Sequence, residues 1–576
     1  MRFFDKFFIL FMALTMGAAL MTASDHKDKD KDKAKAKAGD SAKDNDQPSA
    51  NDAVADRIFY SEAKLVENMH KYVPLVETYI QNMKSDKELG SVPESDKYFL
   101  GRLILNEKGI GEKKFERRDR PGFMSRVLDR LNSFYKMNYV SLGFMQLVFL
   151  NDRFDKDNYE LKYLRQQFLG DVRTLVFDVV PKKHVKGPHF LGRIWVEDQD
   201  YNIIRLNGTY EPRTKLNTFF HFDSWRMNMQ PGLWLPAYVY TEESDTKYAV
   251  ARSLNMKGQT RLWAYDLKHS GLQTELTNLQ IDSVKDNSDS NGMGNNEIVP
   301  VQSQHKWERE AEDNVLDRME RAGILAPDGE VSKVLQTVVN NLVITNNLNI
   351  EPEVRCRVLL TTPLESFTVG HTIVISRGLL DVLPDESSLA MVLSRELAHI
   401  SLGHRLNTKY AFSDRMIFPD EEVFRQIGIR DKESEEVEAD QKASEFLQNS
   451  PYKDKLASAG LFLRSLEIHS HELTWLISPH FGNRMVRNSS HIRMAGLAAS
   501  APQLETRNIN QLAALPLGSR IKLDPWDDHV EMQKSKSVAL LSVRDKMSFE
   551  VTPMFPNLVR FNGTTGEVAA TKQGNK

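Results

Sequence analysis

Along residues 52–87, apolar side chains recur at three- and four-residue spacing: Leu65, Met69, Val73, Leu75, Val76 and Ile80. That period predicts a helical segment, here placed at 52–97, with Pro74 breaking it in two. From Tyr98 to about Leu267 the texture changes to strands and turns. YFLGRLIL (98–105), GFMQLVFLND (143–152), RTLVFDVVPK (173–182), HFLGRIWVEDQDYNIIRLNGTY (189–210), TFFHFDSWRMNM (218–229) and LWLPAYVYTEES (233–244) follow in series. A helix-like stretch at 123–135 interrupts them. Asp198-Gln199-Asp200 reads as a hairpin turn. Serial strands of this kind predict one curved antiparallel sheet. Residues 281–303 are rich in Asn, Ser, Gly and Asp and read as a linker. Residues 304–500 are mostly helical, with a β interlude at 354–376. The tail, 501–576, regains strand texture at 536–543 and 549–555. The predicted fold class is α+β and multidomain: a curved antiparallel half-barrel at 98–280, a helical domain at 304–500, and a small β-containing C-terminal extension.

The first 24 residues change the picture. Arg2 and Lys6 precede a largely apolar run from Phe7 to Met21, and Ala23 and Ser24 follow. This is the layout of a secretory signal peptide. It predicts a secreted or periplasmic protein of the bacterial envelope, with no spanning segment after cleavage; an uncleaved segment would instead anchor the chain. Residues 25–51 form a tether. Seven Lys and seven Asp alternate through 25–46, their charges cancel, and there is nothing to bury. Over the whole chain, 76 Lys+Arg against 79 Asp+Glu leaves −3, which excludes a dedicated nucleic-acid binder. Cys356 is the one cysteine. An intrachain disulfide framework, a cysteine zinc ribbon and an iron–sulfur cluster are therefore excluded, and any metal must be held by His, Asp or Glu.

Candidate chemistry concentrates between 389 and 440. LAMVLSRELAHISLGH (389–404) reads as an amphipathic helix carrying Arg395, Glu396 and His399. A zinc-peptidase helix places His at i and i+4 on one face to hold the metal, with a Glu after the first His as general base. Here the base and the second His are present, and Arg395 stands where the first His would. Downstream, Glu436 and Asp440 share a helical face at i and i+4.

The segment 354–485 resembles the HtpX/Oma-type zinc metallopeptidases, family M-forty-eight. The carrying features are VLLTTPLESFTVGHTIVISRGLL (358–380), the RExxH helix and the Glu-x-x-Ala-Asp element at 436–440. The resemblance implies a zinc cofactor held by His399 and Glu436, Glu396 as base, Asp440 as a carboxylate orienting the first ligand, and Arg484 lining the active site as a catalytic residue. The family's His before Pro479 is Ser478 here, unless His480 stands in. An arginine has no lone pair to coordinate zinc, so this metal site is incomplete. The expectation is that the Arg395 guanidinium replaces the metal by pairing with Asp440 or Glu436. His404, His469 and His471 are weaker ligand candidates.

Residues 98–267 resemble the LolA/LolB/RseB half-barrels of envelope proteins that handle lipoproteins or lipid. Phe219, Phe220, Phe222, Trp225, Trp234 and Tyr238 crowd near the expected cavity, and for any one of them filling the core is the better reading. Together the resemblances imply a pseudo-peptidase that binds unfolded or misassembled envelope proteins, with lipid or lipoprotein as a further partner of the β domain. The alternative is an active metalloendopeptidase with a rearranged zinc site.

Overall fold

The computed structural model describes residues 50–86, 90–106, 109–114, 150, 153–183, 185, 189–211, 221–248, 252–267, 300–383, 385–404, 432–478, 481–488, 491–503, 521–524, 529–532 and 560. The expected signal peptide, residues 25–49 of the tether, the 123–135 helix, residues 281–299 of the linker, and the strands at 536–543 and 549–555 lie outside these residues. The fold is α+β: a curved, open antiparallel sheet followed by a helical region.

The chain enters through helix α1 (Ala50–Met69). Ten strands follow: β1 (Tyr72–Asp86), β2 (Gly90–Asn106), β3 (Gly109–Lys114), β4 (Tyr159–Leu169), β5 (Val172–Pro181), β6 (His189–Glu197), β7 (Ile203–Glu211), β8 (Phe222–Gln230), β9 (Leu233–Tyr248) and β10 (Arg252–Leu267). Their spatial order is β3-β2-β1-β10-β9-β8-β7-β6-β5-β4. Register shifts interrupt the ladders at Val73/Leu75, Asn82/Met83, Tyr163/Arg165, Trp225/Arg226 and Leu254/Met256. Bulges of this kind bend strands and increase twist, which curves the sheet. The β6–β7 hairpin turns at Asp198-Gln199-Asp200. Glu197 holds it by accepting the backbone N–H groups of Gln199, Asp200 and Asn202 at 2.9, 2.9 and 3.1 Å.

The helical expectation for 52–97 is corrected: helix stops at Met69, and 72–86 is strand β1. The physical reason is double burial. Leu75 and Tyr79 join one core cluster, whereas Val76 and Ile80 join another on the opposite face. A strand covered on both sides carries a near-continuous apolar run, which spacing alone cannot separate from a helix. One sheet face is packed by α1, whose Ile58, Phe59, Leu65 and Met69 sit with Val179, Ile194, Leu206 and Phe222. Buried Glu62 anchors that helix by accepting from both terminal nitrogens of Arg226, at 2.6 and 2.8 Å. Of the aromatics expected around a cavity, Phe222 lies under α1. Trp225, Trp234 and Tyr238 belong to a separate cluster with Trp195 and Tyr240. Phe219 and Phe220 are outside the described residues.

The helical region packs on β1, β2 and β10. It comprises α2 (Pro300–Arg321), α3 (Glu330–Thr345), a small sheet of β11 (Arg355–Leu359), β12 (Ser366–Val369) and β13 (Thr372–Ser376), then α4 (Arg377–Val382), α5 (Glu386–Ser401), α6 (Glu433–Gln448), α7 (Leu456–His469) and α8 (Thr474–Ile477). Two short hairpins, β14 (Arg487–Asn488) with β15 (His491–Ile492) and β16 (Ile521–Asp524) with β17 (His529–Met532), flank α9 (Ala495–Ser500). The seam with the large sheet is polar at its centre. Glu77 accepts from Thr362 N at 2.6 Å, Tyr98 Oη at 2.9 Å and Arg261 Nη1 at 3.0 Å. Asp96 accepts the N–H groups of Trp475 and Leu476 at 2.9 and 2.8 Å. Around these groups one apolar cluster runs from Leu75 and Leu100 into the helices, so sheet and helices share a core. Among the described residues, no helix is long and apolar enough to cross a membrane.

Candidate functional site: a buried cluster of carboxylates and guanidinium groups

Helix α5 is the spine of the site. Asp385 caps it, accepting Ser388 N at 2.8 Å, and every residue from Ser387 to His399 is buried. A helix buried nearly all round must find partners inside the core for the polar residues it carries. The small sheet packs beside it. Gly378, of the RGLL run, approaches the chain so closely that an added Cβ would lie 1.7 Å from the Thr362 carbonyl oxygen. Close approach of this kind explains glycine at that position.

Arg395, Glu396 and His399 are brought together with Glu436 and Asp440 of α6, all buried. Arg395 Nε lies 3.5 Å from Asp440 Oδ1. Its terminal nitrogens donate to the carbonyls of Met485 and Arg484, each at 3.3 Å. Glu396 accepts from Ser366 Oγ at 2.6 Å. Burial, with the charges of Arg493, His404 and Arg395 adding to it, pushes the His399 imidazole down to about 3, so it is neutral at pH 7. Burial and then the Arg493 charge push the Arg395 guanidinium down to about 10, which leaves it protonated.

Both acids pair with a residue that sequence reading missed. Arg493 is fully buried. Its Nη1 lies 2.9 Å from Glu436 Oε1, and its Nε donates to both oxygens of Asp440 at 3.1 and 3.0 Å. The β14–β15 hairpin delivers it, with Arg493 N donating to Val486 O at 2.8 Å. The next residue, Met494, has φ 50, a left-handed conformation that costs a side-chain-bearing residue about 1–2 kcal/mol. Asp440 offsets this by accepting Met494 N at 2.9 Å. Arg493 belongs to no motif and lies 53 residues beyond Asp440. The one signal for it was charge: three acids, Glu396, Glu436 and Asp440, met by a single identified cation.

Arg484 enters through its main chain. Its carbonyl oxygen accepts from Arg395 Nη2 at 3.3 Å and Arg493 Nη1 at 3.4 Å. The same segment pairs with the edge of β12, where Asn483 N donates to Ser366 O at 3.2 Å. His404 lies just past the helix, its Nδ1 3.0 Å from His399 Nδ1. Pro479 and His480 are outside the described residues. His469 ends α7 and His471 follows it.

Residues 332–418, from α3 through α5, match the model of Peptidase family M48. The helical region thus carries a peptidase-family M48 domain. Comparison with curated proteins gives no match. Among solved structures, a DUF1329 family protein from Desulfovibrio piger ATCC 29098 is 8% identical, over 38% of this chain and 95% of its own, with a TM-score of 0.19. A putative outer membrane lipoprotein-sorting protein domain from Vibrio parahaemolyticus is 8% identical, over 40% of this chain and 97% of its own, with a TM-score of 0.17. At those TM-scores neither likeness bears on function.

Family M48 is generally zinc-dependent, so the donor set can be tested against zinc. A catalytic zinc takes three protein ligands and a water. Position 395 offers a cation, and the Glu436 oxygen is engaged by Arg493. Among the described residues, no group of three His, Cys, Asp or Glu side chains could hold a metal ion. The described residues, with a cation at 395 and Glu436 paired to Arg493, do not fit zinc.

Proposed function

We propose that this protein is a non-hydrolytic relative of the envelope metalloendopeptidases, a module that binds unfolded or misassembled extracytoplasmic polypeptides without cutting them. The observation that carries this reading is the pair of buried guanidinium groups, Arg395 and Arg493, set against the two carboxylates of α6. Glu396 then serves as a hydrogen-bond acceptor for Ser366, with no polarised water to deprotonate. The signal-like N-terminus supports an extracytoplasmic location. Strand β4 supports client binding: it ends the sheet order and exposes Tyr163, Leu164 and Phe168. Apolar side chains on an edge strand are suited to extended peptides. Lipid is a weaker candidate client, because α1 occupies one apolar face of the sheet.

A second reading, an active endopeptidase with His404 recruited to the metal, has in its favour the 3.0 Å approach of His404 to His399. Two measurements on the purified protein separate the readings. The first is zinc content. The second is casein cleavage by the wild type and by Glu396→Gln. Zinc-free protein, no cleavage, and retained binding of unfolded casein are expected. One zinc per chain with cleavage abolished by Glu396→Gln would establish the second reading.

A further inference from the structure

We propose that Arg395 and Arg493 together replace one divalent cation, and that Arg493 is the residue seated where the metal would lie. This rests on the non-hydrolytic reading and deepens it by assigning the lock on the site. Charge is the first argument. Glu396, Glu436 and Asp440 bring three formal negative charges into one buried cluster. Two guanidinium groups bring two positive charges, the same as a zinc ion, so the net formal charge matches that of a metal-loaded site. An unpaired buried carboxylate is costly, so the loss of a dication requires such compensation.

Geometry divides the labour. Arg493 makes the short contacts, 2.9 Å to Glu436 and 3.0 Å to Asp440, and so bridges the two acids. Arg395 stands off at 3.5 Å from Asp440 and spends its terminal nitrogens on the Met485 and Arg484 carbonyls. Both guanidinium groups donate to the Arg484 carbonyl, which locks the 481–486 segment over the cluster. Arg395 therefore removes a ligand and ties down the backbone, while Arg493 holds the acids. Restoring the missing histidine alone leaves the seat taken. A dication added to it would face the Arg493 charge at contact distance.

The test uses the full chain with zinc as the probe, and cobalt(II) for its visible absorption in a tetrahedral site. Four proteins are compared after chelator treatment: wild type, Arg395→His, Arg493→Ala, and the double variant Arg395→His/Arg493→Ala. Arg395→His/Arg493→Leu is a second double variant in case the first packs poorly. The expected result is no stoichiometric zinc in the wild type or either single variant. A double variant is expected to gain one zinc per chain, show the cobalt spectrum, and rise in melting temperature when zinc is added. A double variant that is unfolded alone and folds with zinc supports the proposal equally. Stoichiometric zinc in Arg395→His alone overturns it, because Arg493 would then be no lock. Double variants that stay metal-free, folded or not, also overturn it. Zinc in the wild type sinks the non-hydrolytic reading itself, so the two failures are distinguishable.

Discussion

Two buried arginine clusters in this molecule solve the same problem in different ways. On the large sheet, Arg205 meets Asp223 side-on, with Nε and Nη2 donating at 2.8 and 3.0 Å. Its plane is sandwiched by Trp195 and Trp225, each 4.4 Å away, and Trp225 Nε1 donates to the same carboxylate at 3.0 Å. Among the described residues, this cation meets the Asp223 carboxylate edge-on, and its flat faces are covered by aromatic rings. At the site, Arg395 and Arg493 meet the acids of α6 at uneven distances, 3.5 Å against 2.9 and 3.0 Å. Among the described residues, Arg395 Nε and Arg493 Nη2 make no hydrogen bond. A pair built as a pair reaches fork geometry. The two planar groups at the site are satisfied less completely than this fork.

The largest effect is expected from Asp440→Ala. It strips Arg493 and Arg395 of a shared partner and leaves Met494 N unsatisfied. Breaking a buried pair from one side costs about 3–5 kcal/mol. Chemical denaturation checks this, and a loss below about 1 kcal/mol would mean the acids do not hold the cluster. Asp223→Ala should cost less, about 1–3 kcal/mol, because the tryptophan faces still stabilise the Arg205 charge. Equal losses for the two variants would erase the contrast.

The pH response sharpens the comparison further. His399 is held near 3 against an ordinary 6.5, so the unfolded chain binds the extra proton between those values. Stability from this group is complete above about pH 6.5 and falls by up to about 1.4 kcal/mol per unit as pH drops. Asp96, at the seam, is pushed the other way, to about 6 from 3.8, mainly by burial. Its folded form holds the proton more tightly, so its contribution is present below about 3.8 and is lost as pH rises through 6. The two slopes oppose each other between about pH 4 and 6. Asp96→Asn removes one of them. Unfolding midpoints of that variant should fall more steeply on acidification than those of the wild type, and parallel curves would refute the assignment. The smallest effect belongs to Arg355→Ala. Arg355 meets Asp313 at 2.8 Å with both side chains more than half exposed. A change below about 1 kcal/mol is expected, which provides the baseline for the buried variants.

Much of this was legible before any coordinates. The Asp198-Gln199-Asp200 turn, the β interlude at 354–376 and the helix bearing Arg395, Glu396 and His399 rest on local rules of turn chemistry and period. Strand β1 was misread because Leu75 and Val76 are both apolar for different reasons, each facing its own core. Phe222 and Trp225 fill two separate buried clusters because side-chain alternation sends them to opposite faces of β8, a division that their bunching along the chain does not reveal.

By itself, the chain's order of residues determined that Arg395, which has no lone pair to donate, stands where a zinc-peptidase helix pattern has its first histidine, since coordination chemistry depends on residue type and i,i+4 spacing. Only the tertiary structure decided which cation meets the two acids of α6. Arg493 reaches Glu436 and Asp440 through a hairpin and a left-handed turn, and bringing charges together across 53 residues of chain is a matter of packing that no local pattern encodes.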